Sequence, residues 1–437
     1  MGAAPVSPGR GERIVTHNIV VSAGTLSAGL LGFAFQVVVS HRVAPAEYGA
    51  IFAVLTLLTL VGLPANALTL LMAREASRDR ATGHHAASSA MLHDGNRLLL
   101  LLGVLLALLT VLAAPLLGRF LNIPLDLLLA AAIGLPFVLA FPFLIGALQG
   151  EERFIAYSGM AASQAILKLV GAVVFGLVFG PVGIVLGISV AVVLSYLLAH
   201  GLLRRKLAIK ARAPWHRPAI KYLGVLVPST LALAVLLSAD VLLVKHFFPQ
   251  RPAGEYAAVA ALSRAVYYGA AGVAVVLFPK MVFRESKGFG GARLVWLSLS
   301  LVIGGGIAGL AVLTVGSHFL LTVFAGAAYG GGASYLPWYA VGMTFLGAVA
   351  ILTATQQSRG RRGFLAVLVP MALLEPAAIL AYHQSLLQVV QVVDVCIGAL
   401  LLAFVGLFLS QRGRSTIEVV NRQPELELTA APLEAVP

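Results

Sequence analysis

The stretch "RVAPAEYGAIFAVLTLLTLVGLPANALTLLMAREASR", residues 42 to 78, decides how this chain must be read. Glu47 and Tyr48 stand at its head, Arg74, Glu75 and Arg78 at its tail, and everything from Gly49 to Ala73 is uncharged. About 20 apolar residues in a helix cross a hydrocarbon core of ~30 Å. The segment therefore reads as a membrane span. At one interface the polar-aromatic pair Glu47-Tyr48 caps it, and at the other Arg74 and Arg78 anchor it.

The same pattern returns half a chain later in "PAGEYAAVAALSRAVYYGAAGVAVVLFPKMVFRES", residues 252 to 286. Glu255-Tyr256 answers Glu47-Tyr48, and Arg284-Glu285 answers Arg74-Glu75. A further match pairs "LQGEERF" (148–154) with "TQQSRGRRGF" (355–364), each carrying Gln, Arg and Phe in that order. Matches in register at separate places point to duplication of a six-span unit. An even number of spans per unit leaves both copies the same way up, related by an axis along the membrane normal.

Composition agrees. The chain has 437 residues, 59% hydrophobic and 11% charged, with a mean hydropathy of +0.96. That leaves room for roughly a dozen spans and none for a large soluble domain. The expected fold is an all-α polytopic membrane protein with twelve transmembrane helices in two pseudo-symmetric six-helix lobes. Its parts are a cytoplasmic N-terminal segment (1–14), an N-lobe of spans one to six (15–203), a basic cytoplasmic linker (204–220), a C-lobe of spans seven to twelve (221–410) and a disordered cytoplasmic tail (411–437). The first apolar segment is too long for a secretory signal and lacks an adjacent small-residue cleavage site, so it reads as a retained span.

The net charge of +13 does not imply nucleic acid as a partner, because the basic residues fall in short clusters between apolar segments. With both termini cytoplasmic, those clusters lie on the inside, the densest being Arg204, Arg205, Lys206, Lys210, Arg212, Arg217 and Lys221; Arg42, Arg119, Lys245 and Arg251 fall outside. This asymmetry predicts a multi-pass protein of the cytoplasmic (inner) membrane. Cys396 is the single cysteine, so no intrachain disulfide can form. The histidines have no companions at metal-ligand spacing, and there is no phosphate-binding loop, dinucleotide glycine pattern or nucleophile elbow. Neither a metal nor a cofactor is expected, no catalytic residue stands out, and the chain does not read as an enzyme.

Charged groups at membrane depth are costly and mark a pathway or a pairing. Arg264 lies nine residues past Glu255 and Asp240 eight before Phe248, so both sit ~12–14 Å deep at 1.5 Å per residue and could meet across the hairpin of spans seven and eight. They form either a structural ion pair or a substrate site in which Asp240 tunes Arg264. Lys168, mid-way along span five, is either a second cation of a cavity or a partner of Glu375 or Asp394. Glu375 lies between Pro370 and Pro376, where a weakened helix could bind a cation; a buried neutral acid is the alternative. Asn66 follows Pro64 and suits interhelical hydrogen bonding.

In sum, these motifs resemble the polysaccharide transporters, including O-antigen flippases, of the multidrug/oligosaccharidyl-lipid/polysaccharide (MOP) exporter superfamily. The resemblance rests on Pro45-Ala46-Glu47-Tyr48-Gly49, on Arg74-Glu75, on Leu148, Gln149, Gly150, Arg153 and Phe154, and on "LTVFAGAAYGGGASYLPWYA" (321–340). It covers roughly residues 14 to 410. It implies two lobes around a cationic cavity and alternating-access transfer of an undecaprenyl phosphate or pyrophosphate saccharide between leaflets. It matches Arg264 to a frequent basic position and Asp240 to a frequent acid. The first two spans depart from the pattern, holding Gln36 and Asn66 but no mid-membrane cation, so lipid II suits the cavity less. The expected substrate contacts are Arg264, Lys168, Asp240, Asn66 and Gln36, and the expected ion-coupling residues Asp240, Glu375 and Asp394. The expected partners are a lipid-linked saccharide, membrane lipids and an envelope glycan polymerase or glycosyltransferases. The alternatives are a cation-coupled multidrug exporter of the same fold, a membrane glycan polymerase or ligase, and an envelope scaffold.

Overall fold

The computed structural model describes residues 24, 27–82, 85–208, 217–286, 292–358 and 361–429. The N-terminal segment 1–14 and residues 209–216 of the linker lie outside the described residues. The helices are α1 (Ser27–Ser40), α2 (Pro45–Thr82), α3 (His85–Leu121), α4 (Leu125–Ala132), α5 (Leu135–Gly150), α6 (Phe154–Leu207) and α7 (Arg217–Phe247). They continue as α8 (Gln250–Ser286), α9 (Ala292–Val315), α10 (Ser317–Ala325), a 3-10 segment (Ala327–Ser334), α11 (Leu336–Ser358), α12 (Leu365–Ala381) and α13 (Leu386–Thr429).

These elements make twelve passes. Among the described residues, 8 helical stretches are long and apolar enough to cross a membrane, with α4 and α5 joined into one. The 54-residue α6 crosses twice. The shorter apolar helices α1 and α12, together with α8, complete the set. The reversal inside α6 falls at Gly180, with φ 60° and ψ −140°, next to Pro181. A side chain at Gly180 would meet that backbone conformation as strain, and Pro181 brings no N–H to continue the ladder.

The two halves, α1–α6 and α7–α13, meet along a seam where α2 packs on both α7 and α8. One apolar core runs through both halves. At the end of the bundle that carries Glu47 the halves are clamped backbone to backbone. A Cβ on Gly49 would stand 2.9 Å from the Gly254 Cα, and one on Gly254 would fall on the Pro45 carbonyl. The Tyr329 hydroxyl donates to the carbonyls of Ser40 at 3.2 Å and Val43 at 3.1 Å. Ser40 donates to the Phe324 carbonyl at 3.0 Å. At the opposite end, which carries Arg74, ion pairs such as Arg80–Glu152 (3.1 Å) and Lys206–Glu151 (2.5 Å) lie within one half. There Arg74 reaches across to the Tyr222 ring.

The structure revises the place of the Glu-Tyr pairs. Tyr48 and Tyr256 are 1% and 0% exposed, so neither ring lies at a membrane interface. Each stands beside its half's seam glycine, or one residue from it, and turns its hydroxyl inward. Tyr48 donates to Gln36 Oε1 at 3.2 Å and Tyr256 to Asp240 Oδ2 at 2.8 Å. A tyrosine buried in this way satisfies its polar tip with a neighbouring helix rather than with water.

Candidate functional site

The repeat makes the site asymmetric. In each half, the second helix of a hairpin sends its buried tyrosine to a polar residue on the first. In the first half that residue is the neutral Gln36, and in the second it is Asp240. A carboxylate sealed in a membrane protein must be paired, because isolated burial of the charge is prohibitive. Asp240, 1% exposed, recruits its partners from two other helices, α8 and α11.

Its Oδ2 accepts hydrogen bonds from Tyr256 on α8 and from Tyr339 on α11, the latter at 2.6 Å. Its Oδ1 lies 3.6 Å from a terminal nitrogen of Arg264. Arg264 also donates to the Leu237 carbonyl. Asp240 and Arg264 therefore meet across the α7–α8 hairpin, which joins them through a turn at residues 248 and 249. The guanidinium then reaches the seam, where it lies 5.1 Å from the centroid of the Phe52 ring on α2. A cation over a desolvated aromatic face is worth ~2 kcal/mol. Phe52 belongs to the other half, so this contact spans the seam.

Behind this centre lie the other acids. Glu375 on α12 is 0% exposed, and among the described residues neither of its oxygens has a hydrogen-bond partner. It interacts electrostatically with both Asp240 and Arg264. Asp394 on α13 packs its Oδ1 into the space left by the missing side chain of Gly342 on α11. Together, Asp240, Glu375 and Asp394 give the second half an acidic interior with hard oxygen donors. No group of three or more metal-ligating side chains was found among the described residues.

The remaining expected residues lie in the first half. Lys168 on α6 stands over the Phe35 ring at 4.1 Å, and among the described residues it forms no ion pair with Glu375 or Asp394. Gln36 is half-buried and bound to Tyr48, and Asn66 is exposed on α2. Sequence reasoning passed over Phe52, Tyr256 and Tyr339 as site residues. For Tyr256 a signal existed: it precedes Arg264 by eight residues, about two helical turns, and so shares its face. Phe52 and Tyr339 come from helices distant in sequence, and no local pattern marks them.

Twelve passes in two halves form a fold that solved transporter structures share. An inward-facing multidrug resistance MATE family transporter of the MOP superfamily aligns over 91% of this chain and 96% of its own, with a TM-score of 0.71 and 16% identity. An outward-facing MATE family transporter aligns over 92% and 95%, with a TM-score of 0.65 and 16% identity. The lipid II flippase MurJ in an inward closed conformation covers 95% of this chain and 94% of its own, with a TM-score of 0.67 and 13% identity. No protein-family model matches the sequence, and no curated protein matches it. The chain is thus a multi-pass membrane protein with the fold of transporters and flippases.

Proposed function

We propose that the protein is a flippase that carries a lipid-linked saccharide, of the undecaprenyl phosphate or pyrophosphate type, across the cytoplasmic membrane by alternating access. The observation that carries this reading is the placement of Arg264. It is a buried cation at the seam of the two halves, capped by Phe52 of the other half, and separation of the halves would uncover it. A phosphate on the lipid carrier is the ligand chemistry that such a guanidinium recognises. Lys168 supplies a second cation from the first half, with Gln36 and Asn66 as polar contacts for saccharide hydroxyls.

The concentration of Lys and Arg near the Arg74 end supports placing that end, and both termini, in the cytoplasm. The closed Glu47 end then faces outward. Asp240, Glu375 and Asp394 are the groups through which a cation gradient would act. Movement of one charge through the whole field is worth ~2.3 kcal/mol per 100 mV. An envelope glycan polymerase or glycosyltransferases would receive or supply the saccharide.

The acidic interior of the second half favours a second reading, a cation-coupled multidrug exporter. Drug susceptibility of an overexpressing strain separates the two. Broad resistance without saccharide transfer supports the exporter, and leaflet transfer lost in Arg264→Ala supports the flippase.

A further inference from the structure

A second polar site lies away from the Asp240 centre, in a cavity of about 250 Å³ at the Glu47 end between the halves. Its polar walls are Glu47, Asn122 and Asp126 from the first half and Lys245 and Gln250 from the second. Lys245 is 2% exposed, and among the described residues its Nζ has no hydrogen-bond partner. The neighbouring His246 holds this part of α7 in place: its ring stacks 3.9 Å from Phe120 and its Nδ1 donates to the Phe120 carbonyl at 2.5 Å. The carboxylates across the cavity are each half used. Glu47 Oε2 accepts from the Ala44 N–H at 3.1 Å and Asp126 Oδ1 from the Leu127 N–H at 2.9 Å.

A buried ammonium with no partner calls for an anion. Two carboxylates in the same cavity repel a bare anion, just as Lys245 repels a bare cation. The volume falls below the roughly 300–1,000 Å³ of ordinary ligand pockets, which suits a headgroup and not a sugar chain. We infer that this cavity binds a small zwitterion of the phosphoethanolamine class, its phosphate on Lys245 and its ammonium on Glu47 and Asp126. A ligand held this way bridges the halves and stabilises closure of the Glu47 end, because it binds the closed form better than the open one. The source is either a free phosphoethanolamine or the headgroup of phosphatidylethanolamine in the adjoining leaflet.

The test uses the full chain and reads binding, so its outcome does not depend on which substrate is transported. Protein in phosphatidylglycerol nanodiscs is titrated with phosphoethanolamine, inorganic phosphate and ethanolamine while its Tm is followed, and the titration is repeated in nanodiscs containing phosphatidylethanolamine. The expected result is a saturable rise with phosphoethanolamine, weaker binding of either fragment, and an apparent affinity about ten-fold lower in Lys245→Gln. A Tm already raised by phosphatidylethanolamine, with no further response to the free compound, identifies the lipid as the source; an equal response in both bilayers identifies the free zwitterion. If Lys245→Gln does not fold, Asp126→Asn, at an exposed position, serves instead. It should lower the affinity for phosphoethanolamine towards that for phosphate, with Glu47 left to hold the ammonium. The proposal is overturned if the wild type gives no saturable response in either bilayer, if phosphate alone binds as well as phosphoethanolamine, or if the variants bind like the wild type.

Discussion

Arg264 and Phe52 face each other across the seam, guanidinium over ring at 5.1 Å, and this contact links the buried charge centre to the packing of the two halves. Phe52→Leu keeps an apolar side chain while removing the π face. The lost attraction of ~1–2 kcal/mol should shift the closed-to-open ratio at the Glu47 end by roughly 5- to 30-fold. Spin labels at Leu125→Cys and Tyr382→Cys, both exposed at that end, report the ratio in a Cys396→Ala background. An unchanged distance distribution would mean that the cap does not hold the seam.

Closure itself depends on Gly254, whose place leaves no room for a side chain beside the Pro45 carbonyl. Gly254→Val should keep the Glu47 end from closing, so the same label pair should report a long distance in nearly all molecules. A short distance would show that the backbone approach is not needed for closure.

Asp240 is sealed against Arg264 and two tyrosines, so Asp240→Asn leaves the guanidinium without its counter-charge. Removing one member of a buried pair costs about 3–5 kcal/mol. The single variant should melt well below the wild type in detergent, while Asp240→Asn combined with Arg264→Met should recover most of the loss. Additive losses in the double variant would show that the two residues are not coupled.

Gly180 turns α6 back on itself with φ 60° and ψ −140°. An alanine there carries a strain of about 1–3 kcal/mol. Gly180→Ala should therefore lower the melting temperature, whereas an alanine at the open, helical Gly201 should not. Equal melting of the two variants would remove the special role of Gly180.

Much of this architecture was legible in the sequence, and the reason is physical. A bilayer imposes one length on every span, so apolar runs punctuated by charge give the twelve passes. The rise per residue likewise placed Asp240 and Arg264 at one depth on neighbouring helices, and their meeting follows from hairpin geometry. What the sequence could not supply is which face of a span meets lipid and which meets protein. Tyr48 and Tyr256 read as interfacial because aromatic residues next to acids favour interfaces. The glycine beside each pair instead lets the backbones approach and buries the ring. Lys168 could not be assigned a partner for the same reason: its contact, Phe35, comes from a helix more than a hundred residues away.

The central claim is that Arg264 serves a phosphate-bearing lipid saccharide as it crosses between leaflets. Its most direct test is a leaflet-transfer assay in proteoliposomes, using an undecaprenyl-phosphate-linked oligosaccharide and comparing the wild type with Arg264→Ala and Arg264→Lys. Loss of the contact should slow transfer by ~10-fold or more in Arg264→Ala, as expected for a charged hydrogen bond of about 1.5–3 kcal/mol, with partial rescue in Arg264→Lys. Wild-type transfer rates in Arg264→Ala, from protein whose folding is confirmed by its melting curve, would contradict the account.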